Sequence, residues 1–176
     1  ARLTQTLLAQ QGMQSVQWVN YPAGEENSEN PWTLQQRASA DGKESAPFFC
    51  SLPAGERATR RLISQPFSIP PELSFYLAGH TGFPRQPDNG FNYVQLRRLE
   101  DQRVLKRVSA PRNDLAQQVH WDLKEFAGTE GYLEVVDSDS GKAYAWLAIG
   151  RFQPEVVSIP RESLQQQVSR WSAAIS

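Results

Sequence analysis

The chain has 176 residues, of which 39% are hydrophobic and 21% charged, with a formal net charge of −1. This suits one core-bearing domain with short appendages. No Lys/Arg cluster is interleaved with aromatics, so nucleic acid is not an expected partner, and no apolar run approaches the ~20 residues of a membrane span, so no membrane insertion is expected. A single cysteine, Cys50, excludes an internal disulfide. Its setting, Phe48-Phe49-Cys50, predicts a small buried side chain rather than a nucleophile. The chain begins Ala1-Arg2-Leu3 without Met, which reads as a piece trimmed or excised from a larger protein.

Residues 1–17 are Gln-rich, with Leu3, Leu7 and Leu8 on one helical face. Residues 158–176 repeat this pattern through Leu164, Val168, Trp171 and Ile175, predicting a helix or linker towards another domain. The body between, 18–157, reads as mainly β. Asn20 to Asp41 is rich in turn-formers and reads as a loop, with short strands suggested by Trp18, Trp32 and the Phe48-Phe49 pair. Strand alternation then dominates: Leu73/Phe75/Leu77, Val94/Leu96, Val119/Trp121/Leu123 and Leu133/Val135. Residues 145–152 hardly alternate, as expected of a strand covered on both faces. Strands separated by turns, with no helical crossover, predict an antiparallel β-sandwich or barrel. The pairs Arg60-Arg61 and Arg97-Arg98 read as solvated strand faces.

If successive strands alternate in direction, three polar loops fall at one end: 79–90, 111–114 and 137–142. Binding residues sit most often on loops held by a rigid scaffold. The candidates are therefore His80, Asp88, Asn89, Arg112, Asn113, Asp137, Asp139 and Tyr144. The acids and amides would hydrogen-bond hydroxyls, Arg112 would pair with an acid, and Tyr144 would offer an apolar face. The competing reading is structural, since Asp, Asn, Gly and Pro are what turns require; Arg112 would then clamp Asp137 or Asp88.

Sharper chemistries find little support. Counted from Asp137, Gly141 and Ala148 stand where an EF-hand needs its Gly one place later and a bidentate Glu. A structural calcium on Asp137 or Asp139 with backbone carbonyls stays open as a minor alternative to no cofactor at all. His80, in a top loop, and His120, on an outward strand face, are too few for a transition-metal site. Ser138, His80 and Asp88 could be imagined as a triad, but no nucleophile elbow is present. Loop carboxylates acting as a hydrolase remain a weaker alternative. Trp121 and Trp146 read as core; Phe83 and Tyr144 are better placed to stack on a sugar or peptide.

Three stretches carry a family resemblance: L-S-F-Y-L-A-G-H-T-G-F-P (73–84), P-R-N-D-L-A-Q-Q-V-H-W-D-L (111–123) and G-Y-L-E-V-V-D-S-D-S-G-K-A-Y-A-W-L-A-I-G-R-F (131–152). Together they resemble a domain of large secreted planctomycete-type proteins, often joined to cytochrome c or haem-binding modules. They are also distantly similar to the β-sandwich module ahead of some fructan-degrading glycosidases. The chain has no C-x-x-C-H, and carries Tyr144-Ala145-Trp146 where the fructan-associated module has W-G-H. The resemblance implies a galactose-binding-like jelly roll acting as an extracytoplasmic accessory domain. Its partners would be a carbohydrate and the neighbouring domains of its parent. The alternative is a purely structural spacer between domains.

Overall fold

The computed structural model describes residues 18–21 and 32–159. The helices expected over 1–17 and 158–176 fall outside this range apart from Ser158 and Ile159, which have no regular structure. The described chain forms eleven strands: β1 (Trp18–Tyr21), β2 (Thr33–Arg37), β3 (Ala46–Cys50), β4 (Arg60–Ser64), β5 (Phe67–Ser68), β6 (Glu72–Thr81), β7 (Asn92–Arg98), β8 (Val104–Ser109), β9 (Asn113–Asp122), β10 (Glu130–Asp137) and β11 (Ala145–Gln153). Thr33–Arg37 is thus a strand within the stretch read as loop, paired along its whole length with β3.

The strands make two antiparallel sheets. One has the order β1-β4-β10-β7-β8, with β5 also pairing β10; the other has the order β2-β3-β11-β6-β9. The pairings β7–β8, β6–β9, β4–β10 and β3–β11 are nested in the sequence and alternate between sheets. That nesting is the wrap of a jelly roll, so the fold is an antiparallel jelly-roll β-sandwich. Its core holds the inward residues of both sheets, among them Leu73, Phe75, Leu77, Val94, Leu96, Leu133, Val135, Leu147 and Ile149. Trp18 and Val157 close it, and Trp18 Nε1 donates to the Ser158 carbonyl at 3.1 Å.

β11 is buried on both faces, for an identifiable reason. Leu147 and Ile149 face the inter-sheet core, whereas Trp146 and Ala148 face a second apolar cluster outside the sheet, with Phe48, Cys50, Tyr76, Ala78 and Ala116. The segment between β2 and β3 crosses over this outer face, where Ala40 N donates to the Ala116 carbonyl at 2.8 Å. Arg151 caps Tyr76 at 4.2 Å and Arg37 caps Trp146 at 4.4 Å, each guanidinium lying over a ring. Cys50 is fully buried here, and burial pushes its thiol pKa up, away from nucleophilic behaviour. Trp146 is therefore buried as expected, but on the outer side of its sheet.

The central strand β11 and its neighbour β6 approach closely at Gly79. Its φ is +114°, and a Cβ there would stand 2.2 Å from the Trp146 carbonyl oxygen. Both the conformation and the space demand glycine. Gly79→Ala is expected to reduce unfolding free energy by about 2–4 kcal/mol, read as a lowered urea midpoint with the far-UV β spectrum retained.

Candidate functional site

Four connections cross from one sheet to the other at the same end of the sandwich: 51–59, 82–91, 110–112 and 138–144. The three polar loops do meet there: Asn89 reaches Asp139, and Arg112 reaches Gln86. The fourth, 51–59, lacks the polar density that made the others legible, and brings Ser51 and Glu56 to the same end.

Strand alternation continues past the apolar residues and carries polar side chains into the top of the core. In β10, Asp137 follows Leu133 and Val135 on the inward face; in β7, Asn92 precedes Val94 and Leu96; in β6, Thr81 follows Leu77 and Gly79. All three are buried. Asn92 makes the central clamp. Its amide NH2 donates to the His80 carbonyl at 2.9 Å, and its Oδ1 accepts from Ser138 N at 3.1 Å and Asp139 N at 3.2 Å. One side chain thereby joins β6, β7 and the 138–144 loop.

Around it the loops spend their polar groups on one another. Asn89 Nδ2 donates to Asp139 Oδ2 at 2.6 Å, and Gly141 N donates to Asp139 Oδ1 at 2.9 Å. The Thr81 hydroxyl lies 2.5 Å from Asn89 Oδ1 and 3.1 Å from Asp88 Oδ1, and Asp88 also accepts from Gly90 N at 2.7 Å. Burial opposes ionisation of Asp88, but the Gly90, Ser109 and Thr81 donors and nearby Arg112 hold its pKa below the ordinary value. Asn113 accepts from Leu115 N at 2.9 Å, closing a short turn. Arg112, with φ +60°, donates to the carbonyls of Gln86 at 2.6 Å and Thr81 at 3.2 Å. It clamps backbone and makes no hydrogen bond to either acid proposed for it.

Two of the sequence placements need correction. His80 is not in a loop: β6 runs on through Thr81, and the His80 ring is buried on the outer side of the sheet. Asp137 is 1% exposed and points inward, out of reach of a surface ligand. Neither of its oxygens has a hydrogen-bond partner in good geometry. Desolvation dominates its titration, with like charge from Asp139 and Glu56 acting in the same direction, and together they push the pKa up to about 7. The Ser51 hydroxyl and the Asp139 N–H counter this only in part.

The imagined triad is not assembled, for each member is engaged elsewhere. Ser138 Oγ donates to the Phe91 carbonyl, His80 pairs with Asp114, and Asp88 is held by Thr81 and Gly90. Among the described residues, no group of three or more His, Cys, Asp or Glu side chains is arranged to hold a metal ion.

Among exposed polar loop residues, this end also presents aromatic rings to solvent. Four rings form a row with centroid separations of 5.8 Å (Trp146–His80), 5.0 Å (His80–Tyr144) and 5.3 Å (Tyr144–Phe83). The row begins buried and ends open, with Tyr144 39% and Phe83 46% exposed. Tyr144 is set by a left-handed backbone, φ +57°, while its carbonyl accepts from Gly82 N at 3.0 Å. Beside the row, His80 Nε2 donates to Asp114 Oδ1 at 2.9 Å, and the Asp114 side chain is 81% exposed. Asp114, Asn92, Ser51 and Glu56 were missed as site residues. For Asn92 the signal was present, because it falls on the inward face of β7.

No protein-family model matches the sequence, and no curated protein matches it. Among solved structures, the chain is similar to the C-terminal extracellular domain of Mycobacterium tuberculosis EmbC. The identity is 15% and the TM-score 0.41, covering 66% of this chain and 48% of that one, so the chain spans about half of that domain. It is also similar to the K3 cleaved adhesin domain of the Lys-gingipain of Porphyromonas gingivalis w83, at 10% identity and a TM-score of 0.35, covering 69% and 88% of the two chains.

The buried carboxyl of Asp137 sets a pH dependence. Its folded pKa of about 7 lies above the ordinary 3.8, so the folded state holds its proton more tightly than the unfolded chain. That contribution is complete below pH ~4, declines as pH rises, and is lost once pH passes ~7. Asp137→Asn keeps the shape and cannot ionise. The variant is expected to be more stable than the parent at pH 8, by on the order of 2–4 kcal/mol, and nearly equal to it at pH 4, as measured by chemical denaturation at both pH values.

Proposed function

We propose that this domain is a non-catalytic accessory module of a larger extracytoplasmic protein and binds a saccharide on the Phe83–Tyr144 platform. The observation carrying the reading is the pair of touching, exposed aromatic rings at the open end of a row whose other members are buried. An apolar ring face against which the C–H side of a sugar packs, beside hydrogen-bonding groups at the rim, is a common form of saccharide recognition. Tyr144 and Phe83 would supply the face, and the exposed oxygens of Asp114 would accept from sugar hydroxyls. Rigidity favours binding here, because the loops carrying both rings are already ordered by Asn92, Asn89 and Arg112. Of the residues first singled out, Tyr144 would touch the ligand directly and His80 would orient Tyr144 and Asp114. Asp88, Asn89, Arg112 and Asp139 would hold the loops.

One observation favours a second reading, that of a spacer between domains. The side chains of Asp88, Asn89, Arg112 and Asp139 are bonded within the protein, which is what loop locking alone requires. A glycan array followed by calorimetry on the best neutral hit separates the two. Under the binding reading, Phe83→Ala and Tyr144→Ala each weaken affinity about tenfold and leave the thermal midpoint nearly unchanged. Absence of any glycan ligand, together with a large drop in thermal midpoint for Arg112→Ala, would establish the spacer instead.

A further inference from the structure

The outer face of the β1-β4-β10-β7-β8 sheet carries a second constellation, remote in residue content from the aromatic row. Because Leu133 and Val135 face the core, Tyr132 and Glu134 face outward from β10. In register beside Glu134 stand Ile63 of β4 and Gln95 of β7, and beyond Gln95 stands Arg107 of β8; Tyr132 stands opposite Arg97. Glu134 is buried although it lies on an outer face, because guanidinium groups close over it. Arg61 Nη1 donates to its Oε1 at 2.7 Å, Arg97 Nε donates to its Oε2 at 2.6 Å, and the Gln95 amide donates to the same Oε2. Burial opposes ionisation of this carboxyl, but the three donors outweigh it and hold the pKa below the ordinary value.

This carboxylate therefore fixes two guanidinium groups that remain 40% and 28% exposed at the side-chain level. Arg97 is pinned twice, its Nη1 donating to the Gln102 carbonyl at 2.8 Å. Arg107 is exposed, yet equally constrained. Its Nε and Nη2 both donate to Gln95 Oε1, at 3.0 and 2.7 Å, and its guanidinium lies 4.1 Å from the Tyr93 ring centroid. Across these three arginines and Glu134, positive charge exceeds negative by two. Between Arg61 and Ile63 on one side and Arg97 and Leu99 on the other runs a groove of about 530 Å³, with Tyr132 and Glu134 also lining it. Glu134 and Gln102 take Nε and Nη1 of Arg97, and Gln95 takes the Nε/Nη2 edge of Arg107, which stands beyond Gln95 outside the groove. What the guanidinium groups offer an anion is therefore positive charge held in fixed positions, with less rotamer freedom left to lose than a mobile lysine surface has.

We infer that this sheet face is a second binding site, for an acidic polysaccharide whose carboxylate or sulfate groups pair with Arg61, Arg97 and Arg107. The inference shares with the proposed function the reading that the domain binds glycans, but it uses none of the same residues. Glu134 serves as a positioning residue that holds Arg61 and Arg97 in place, while Gln95 holds Arg107.

The test is direct binding of fluorescent polygalacturonate, dextran sulfate and neutral dextran, at low and at physiological ionic strength. Polygalacturonate or dextran sulfate is expected to bind and to weaken with salt, while any binding of neutral dextran is insensitive to salt and to Arg107→Gln; which of the two polyanions binds tighter identifies carboxylate or sulfate as the group read. Arg107→Gln is expected to weaken that binding about threefold or more, and Arg61→Gln combined with Arg107→Gln at least about tenfold. Arg107 is exposed, so its single variant keeps the test valid if the double variant unfolds. Phe83→Ala is expected to leave acidic-glycan binding intact. The inference is overturned if neither polyanion binds, if Arg107→Gln has no effect on polyanion binding, if neutral dextran binds and Arg107→Gln weakens it equally, or if Phe83→Ala abolishes polyanion binding. Single-stranded DNA binding as tightly as the better glycan would equally sink it, since the face would then read charge alone. Loss of neutral-glycan binding in Phe83→Ala tests the aromatic platform separately, so either reading can fail without the other.

Discussion

The top of the sandwich depends on a single amide. Asn92 stands where the core ceases to be apolar, and its side chain bonds the β6 backbone on one side and two successive N–H groups of the 138–144 loop on the other. Buried backbone groups need partners, and a loop leaving a sheet has none in the ladder. Asn92 supplies them from a position fixed by β7, so the β6–β7 and β10–β11 connections become parts of one rigid unit. Asn89, Asp139 and Arg112 extend that unit outward. The exposed rings of Phe83 and Tyr144 are ordered because of what lies beneath them.

Asp137 shows the opposite solution to the same geometric problem. It too continues an inward strand face, beside Asn92 in register, but its oxygens lack partners in good geometry and two acids lie near. An amide at such a site can be satisfied by backbone groups of either polarity, whereas a carboxylate can only accept. The strand therefore retains its proton to near neutrality, and the fold carries a destabilising charge above that point. At Glu134 the buried acid is instead surrounded by donors and stays ionised. Two acids three residues apart on one strand thus have opposed titration behaviour, because alternation sends one to the core and the other to an outer face covered by arginines.

The two sheets also differ in what they do with their outer faces. The β2-β3-β11-β6-β9 sheet buries an apolar layer beneath the segment joining β2 to β3, with Arg37 and Arg151 lying over Trp146 and Tyr76. The β1-β4-β10-β7-β8 sheet instead presents a polar lattice in which a few hydrogen bonds fix several long side chains. Immobilising an arginine costs rotamer entropy. Here part of that cost is met within the folded protein, which is the preorganisation a charged ligand site requires.

Much of this fold is legible in the order of residues alone. Period-two alternation locates β6, β7, β9 and β10, and the unbroken apolar run marks β11 as covered on both faces. Direction counting brings the 79–90, 111–114 and 137–142 loops to one end. Alternation carried two residues further would also have turned Asp137 inward and marked Asn92 as buried. What no local pattern contains is partner choice. That Arg112 seeks the carbonyls of Gln86 and Thr81 rather than an acid, that β6 runs on to bury His80 against Trp146 and Tyr144, and that Glu134 gathers Arg61, Arg97 and Gln95 are all consequences of strand order. Local sequence sets which face a side chain occupies, through the two-residue repeat of the strand; only the nested pairing of distant strands decides which other side chains share that face.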